Sequence, residues 1–587
     1  MRYSSLLAVA LICASFVWTG QTAFGQAAER PLKLSPNLDP QIKKDHEELF
    51  AIWMKGQFPK NYIWQQVMTS FDTWQKAANQ GVPEGQLLIG LCHAYGATVK
   101  KDAAEAARWY RKAADQGFSP AECIMGEVCK SGTGVKKDLT EAVSWFRKAA
   151  EQGYPLGQTR LGRCYEDGIG VKKDEAEAIR LYRKAAAQGC AGSENSLGRC
   201  YEQGVGVKKD NEEAFRWYMK AASQGMRTSQ NTIGDFYNDG IGVKKDLVEA
   251  IRWYRKAAEQ DLLISQFNLG CLLIKSDPLE AFRWVQKSAD GGLAEGQYGT
   301  GWCLENGIGV KKDAEEALRW YRKSADLGNA DAQYMLAYCY TVGRGLKKDP
   351  SEAFKWYLKA AEQDHPAAQR DVANCYFVGA GVKRNDDEGF RWAMKAAKGG
   401  DAIAIYNVGI SFFKGEGVKK DVKESITWFR KAGDMGCAGA MNYLGVCYQK
   451  GEGVPQDLKK AAELYWKAAQ QGDEVAMHNI ANCFGYGLGV RVDTAMANQW
   501  LTKSAKAGYA PAKEQIAVIA ADGWDNGTRV GLSIGGYSSG SSGYDSSSND
   551  AWREKRYAQE REAAEAARRE EYNRKLDEQW KRYTTPD

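Results

Sequence analysis

The chain has 587 residues, 44% hydrophobic and 26% charged, the composition of a folded protein too long for one compact core. Lys and Arg number 80 against 74 Asp and Glu, an excess too small over this length to call for a nucleic-acid partner. Four His residues leave little material for metal centres or general bases.

At the N-terminus, Arg2, the apolar run Leu6 to Trp18 and the small residues Ala23 and Gly25 have the form of an export signal. Residues 1–25 are predicted to be this signal, cut after Gly25, with an uncleaved anchor as the alternative. Cys13 lacks the small residue before it that a lipid anchor requires. No later stretch reaches the ~18 apolar residues of a spanning helix. The mature chain is therefore expected to be soluble and without a membrane span, in the periplasm or outside the cell. Residues 26–60 read as a lead-in.

From there the chain repeats itself. Aromatic or leucine anchors recur at Trp74, Trp109, Trp145, Leu181, Trp217, Trp253, Trp284, Trp320, Trp356, Trp392, Trp428, Leu464 and Trp500. Most intervals are 36 residues; Trp74 to Trp109 is one residue shorter and Trp253 to Trp284 five. Each unit reads as two helices. The second begins at the Asp of a Gly-x-Gly-Val-Lys-Lys-Asp turn, with Glu three residues on, as in Asp138/Glu141 and Asp174/Glu177. That spacing predicts an N-cap with a Glu reaching back to it. Ala142, Trp145, Phe146 and Ala149 then share one helical face, and Gly153 stops the helix. The first helix carries Leu161-Gly162-Arg163-Cys164-Tyr165 or its equivalent, and its glycine is expected to admit a neighbouring helix closely. The short unit loses its residues in the turn, at Ile274 to Pro278, and keeps both helices.

The pattern Leu-Gly-x-x-Tyr-x-x-Gly-x-Gly-Val-x-x-Asp, followed by Glu-Ala-x-x-Trp-Tyr-x-Lys-Ala-Ala-x-x-Gly, resembles the Sel1-like branch of the tetratricopeptide superfamily. The resemblance covers about Tyr62 to Asp522. It implies an all-α fold: a right-handed superhelical solenoid of two-helix Sel1-like repeats, about 12–13 units over residues 61–524, acting in protein assembly. It fixes no ligand-binding residues. Some secreted relatives carry two bridged cysteines per repeat, and penicillin binding has been attributed to them. Here Cys92, Cys164, Cys200, Cys303, Cys339, Cys375, Cys447 and Cys483 fill one position per unit instead. Phe236, Leu272 or Ser411 replace them elsewhere, so the slot reads as core and the thiols as reduced. Cys123, Cys129, Cys190, Cys271 and Cys437 leave room for an isolated bridge.

Two catalytic motifs fail on context. Gly531-Leu532-Ser533-Ile534-Gly535 matches a nucleophile elbow but sits where a Gly/Ser-rich stretch begins. Ser411-Phe412-Phe413-Lys414 matches Ser-x-x-Lys without its companion motifs, at the core cysteine position. His46, His93, His365 and His478 have no ligand spacing, so neither metal nor cofactor is expected.

Two surfaces are candidate partner sites. The lysine pairs Lys136/Lys137, Lys172/Lys173, Lys208/Lys209 and Lys244/Lys245 recur at the turn and would align into a basic edge. An anionic envelope polymer would suit it, against the plainer reading of a solvated edge. The residue before the cysteine slot varies, as Arg163, Arg199, Asp235, Trp302, Tyr338 and Asn374, and is read as facing a groove lined by the first helices. After the repeats, residues 525–550 form a Gly/Ser-rich linker. Residues 551–587 read as a charged helix with Glu565/Arg569 and Glu570/Arg574 four apart, able to dock a partner or pair with another copy as a coiled coil. The function read from this is an exported, non-enzymatic scaffold that binds protein partners. The alternatives are a saccharide- or peptidoglycan-binding repeat protein and, more weakly, a cell-wall or β-lactam-type hydrolase.

Overall fold

The second helices form where the sequence stops their free N–H groups with a side chain. In the computed structural model, the Asp138 carboxylate accepts from Thr140 N and Glu141 N at 2.9 Å each. Asp174, Asp210 and Asp421 accept from the N–H three residues on at 3.0 Å. Asn385 takes the role in its repeat. Such a cap is worth about 1 kcal/mol. The glutamate at the third position does not reach back. It bonds one turn onward, Arg180 donating to Glu177 and Arg216 to Glu213. Where that onward residue is Ser144, Glu141 accepts from Arg111 of the preceding repeat at 2.7 Å and from Trp145 Nε1. The cap residue's own N–H is already spent on a first-helix carbonyl, Asp138 N donating to Cys129 O and Asp174 N to Tyr165 O at 2.9 Å each, so the glutamate turns to a nearby cation.

The structure describes residues 60–522, with Trp524 and Leu38, Pro40, Ile42 and Lys43. The export signal, nearly all of the lead-in, the Gly/Ser-rich linker with the Gly531 to Gly535 motif, and the charged tail lie outside the described residues. Among these residues there are twenty-six α-helices and no strand, mostly of 13 residues, from Lys60–Asn79 to Ala510–Asp522. The chain divides into two units, Met1–Trp320 and Tyr321–Asp587. Within each, consecutive helices pack against one another, and successive first helices such as Ser119–Ser131 and Pro155–Asp167 also touch.

The glycine within the first helix is a seat for an aromatic ring. A Cβ on Gly162 would lie 2.7 Å from the Tyr182 ring, and one on Gly198 2.7 Å from Tyr218. Phe429 sits on Gly409 and Tyr465 on Gly445 in the same way. Tyr182, Phe429 and Tyr465 are fully buried, and each such ring contributes roughly 1.5–3 kcal/mol of apolar burial. In residues 366–401 both partners are alanine, Ala373 and Ala393, and both are buried. The paired change keeps the two helices in contact without the ring.

The two glycines of the turn do different jobs. The first, such as Gly168 at φ +69°, closes the first helix in the left-handed region. The second, such as Gly170 at φ +67°, lies against the Leu139 carbonyl at the start of the preceding repeat's second helix. The same contact joins Gly134 to Ala103 and Gly242 to Asn211. The glycines that stop the second helices behave more simply: Gly153 and Gly189 meet nothing within 4 Å. Asp261 and Asp364 hold the same left-handed backbone in their repeats. In the short unit Asp277 still caps helix Pro278–Asp290.

A polar rung ties the two helices together in several repeats. The glutamine ending a second helix donates to a buried residue of the first helix of the same repeat, as Gln116 to Gln86 (2.8 Å) and Gln188 to Gln158 (3.1 Å). Gln363 to Gln333 repeats it in the second unit. On the outer face, Lys Nζ lies 3.8–4.0 Å over the ring of the Trp one turn earlier in Lys112/Trp109, Lys220/Trp217 and Lys359/Trp356.

Candidate interaction surface

The first helices present the most varied chemistry. The cysteine slot itself is interior: Cys92, Cys164, Cys200, Cys303, Cys339, Cys447 and Cys483 are buried free thiols, and Cys375 is half-buried. Burial pushes Cys92, Cys200, Cys447 and Cys483 up to about 12, and Cys164 and Cys303 to about 11. Cys123, Cys129 and Cys190 are buried free thiols, and Cys271 and Cys437 half-buried ones. Ser411 is 1% exposed in the same slot, closed to any substrate. Among the described residues no group of His, Cys, Asp and Glu could hold a metal ion.

One residue earlier, Arg163, Arg199, Asp235 and Trp302 in the first unit and Tyr338 and Asn374 in the second are half-buried. Packing holds this column more than its variability suggests. Arg199 donates to Glu166 at 2.7 Å across a junction, with Glu166 only 5% exposed. Asp235 accepts from Tyr254 Oη at 2.6 Å and from Asn231 Nδ2 at 2.8 Å, and burial raises its carboxyl to about 6. Asn374 Oδ1 accepts from Asn407 at 3.0 Å. The variable residues are thus partly junction chemistry, each solved locally by a different pair. What remains is a face of cation, carboxylate, amide and aromatic groups at regular intervals, suited to many weak contacts with an extended partner.

Alongside it lie groups that single positions do not reveal. Arg160 bonds Glu127 at 2.8 Å with both largely buried. Thr159 Oγ1 is 2.6 Å from Ser193, and Ser229 and Ser265 donate to Asn195 and Asn231. In the second unit, buried Arg370 reaches Asp371 at 3.1 Å and Asp401 at 3.2 Å. Aligning the repeats by their cysteine slot would have exposed this polar column, because Thr159, Asn195 and Asn231 fall at one register.

The lysine edge is exposed at Lys136, Lys137, Lys172, Lys173, Lys208, Lys209 and Lys244, and half-exposed at Lys245. It is of mixed charge. Lys173 pairs with Glu175 at 2.7 Å, and Glu212 and Glu213 begin the helix that follows Lys208/Lys209. Exposed pairs of this kind contribute little.

Twelve consecutive segments match the Sel1 repeat, at residues 83–118, 119–154, 155–190, 191–226, 228–262, 264–293, 294–329, 330–365, 366–401, 402–437, 438–473 and 475–509. The chain belongs to the Sel1-repeat family. A protective antigen of uropathogenic Escherichia coli strains, solved as displaying an SLR fold, is 31% identical; the match covers 81% of this chain and 99% of that one, with a TM-score of 0.55. A Sel1 repeat protein from Oxalobacter formigenes is 34% identical over 41% of this chain and 99% of its own, with a TM-score of 0.39. No curated protein matches the chain. Sel1-repeat proteins are generally protein-interaction scaffolds and generally not enzymes. No helix among the described residues is long and apolar enough to cross a membrane.

Proposed function

We propose that this chain is an exported, non-enzymatic scaffold that gathers a protein complex along the face of its first helices. One observation carries the reading. The cores of the repeats are nearly interchangeable, while the half-buried column holds a cation at Arg163 and Arg199, a carboxylate at Asp235 and an indole at Trp302. Part of that variation serves packing, as at Arg199 and Asp235, and the groups left half-exposed, Arg163 and Trp302 among them, are what a partner would meet. Export rests on the N-terminal segment, and the occurrence of a protective antigen among similar proteins supports it. The mixed charge of the lysine edge makes an anionic envelope polymer the weaker reading.

The test is affinity capture from the native host's envelope fraction, using the mature chain and an Arg163→Ala/Trp302→Ala variant, read by mass spectrometry. A near-stoichiometric protein held by the first bait and lost from the second supports the scaffold. An eluate of cell-wall fragments without protein overturns it in favour of saccharide binding. Capture that is equal with both baits removes the first-helix face from the reading.

A further inference from the structure

The polar rung within the repeats has a second half that crosses to the preceding repeat. In six repeats a buried glutamine at this position donates its own amide to a backbone carbonyl eight residues upstream, at the end of the preceding second helix, and in four of them it also receives the rung. Gln158 reaches the Ala150 carbonyl at 3.4 Å and Gln230 the Ala222 carbonyl at 3.2 Å. Gln86 does so to Ala78 and Gln266 to Ala258, and in the second unit Gln333 and Gln369 do so to Ala325 and Ala361. The amide suits the place because it offers an acceptor to one neighbour and a donor to the other.

At two first-unit junctions the residue is a glutamate. Glu122 is 2% exposed and accepts from Gln152 Nε2 at 2.7 Å; Glu194 is 5% exposed and accepts from Gln224 Nε2 at 2.6 Å. Each keeps the acceptor half of the glutamine's task. The donor half, toward the carbonyls of Ala114 and Ala186, can be met only by a carboxyl that carries a proton; an ionised one sets oxygen against oxygen.

We propose that Glu122 and Glu194 are protonation-controlled latches, which as neutral carboxyls tie their first helices to the Ala114 and Ala186 carbonyls and on ionisation loosen those two junctions. The surroundings agree. Burial raises both carboxyls to about 7; Glu151 adds to the rise at Glu122, while Lys148 opposes it, as Lys220 and the Gln224 bond do at Glu194. The preceding second helices end in Lys112 and Asp115, and in Arg183 and Lys184, all exposed. Since the folded value lies above the ordinary 4.5, the latch is fully closed below about pH 4.5 and is lost as pH rises through about 7. The intervening junction at Gln158 has no such dependence.

The experiment is hydrogen exchange on the full chain, corrected for intrinsic rates, between pH 5.5 and 8.5, for the wild type and for Glu122→Gln/Glu194→Gln. Glutamine already works at six sister positions, so the variant folds. Protection around residues 111–123 and 183–195 is expected to fall roughly tenfold or more on raising the pH in the wild type. In the variant it stays level and at pH 8.5 exceeds the wild type, while residues 147–159 stay level in both. A wild type whose protection does not change, or a variant that loses protection to the same extent, overturns the latch.

Discussion

Gly162→Ala sets two rules against each other. In an open helix the change stabilises by about 1 kcal/mol, because alanine is the better helix former. Here the new methyl would lie 2.7 Å from Tyr182 Cε1, 3.0 Å from Cδ1 and 3.3 Å from the Ala178 carbonyl. Restoring ordinary contact moves a fully buried ring by roughly 1 Å, and overpacking of that kind costs about 1–3 kcal/mol. The net expectation is a loss of about 0–2 kcal/mol. Ala337, which faces Tyr357 in the second unit with both buried, shows that the strain can be absorbed and favours the lower end. The informative comparison adds Tyr182→Val, a choice suggested by Val285, which packs against Gly270. With the ring gone, Gly162→Ala should become stabilising by about 1 kcal/mol. The coupling across the four proteins is then about 1–3 kcal/mol. The loss of the Tyr182 hydrogen bond to Glu166 is common to both valine proteins and cancels. Because repeats unfold in part, the assay is exchange of amides in Pro155–Asp167 and Glu175–Ala186 rather than one melting curve. If Gly162→Ala stabilises equally with and without the ring, the seat is not a steric constraint.

Other expectations follow from the same contacts. Gly206→Ala, with Glu175 O 2.8 Å from the new methyl, should cost more than Gly189→Ala, which meets only the left-handed strain of about 1–2 kcal/mol; urea titration of the two separates them. Arg370→Ala leaves Asp371 and Asp401 buried without their cation and should cost about 3–5 kcal/mol, seen as lost exchange protection in helices Pro366–Val378 and Ala402–Lys414. The buried thiols should resist a disulfide reagent in the folded protein at pH 8 and react on denaturation; rapid reaction of the folded chain would show that the slot opens. Burial holds His478 below its usual range beside Gln515 and Tyr509. Stability near that helix is therefore full above about 6.5 and should fall as pH drops, opposite in sign to the glutamate junctions; His478→Gln should flatten the acid limb.

The helix pairs, their aspartate caps and the interior cysteine column were legible in the sequence because they depend on spacings within one repeat. The glycine seats were legible as close approach, though not as seats for one particular ring. The glutamate's partner was misread, because the cap N–H it was expected to reach is taken by a carbonyl some nine residues upstream, as Asp174 N by Tyr165 O, which leaves Glu177 to Arg180. The glutamine rungs went unread: Gln158 and Gln188 are 30 residues apart and look like surface positions until the two helices of their repeat are paired. The same distance effect hid Arg199 to Glu166. Variation in a column signals freedom only when its partners do not vary with it, and here they do.

Most junctions are built from a turn glycine that fits the helix start one repeat back and, in six repeats, a buried glutamine whose amide reaches the end of the preceding second helix. A duplicated 36-residue stretch therefore carries one half of a junction at each of its edges, and both halves fit what flanks them. Such an array can lengthen or shorten from within, by copying errors between its own near-identical stretches, without inventing any new contact. Its ends cannot change as cheaply. At the last first helix with a full repeat behind it, the Trp524 indole lies where a Cβ on Gly485 would go and donates to Asn498 at 2.9 Å, so growth there must first displace a residue that has no counterpart in the copies.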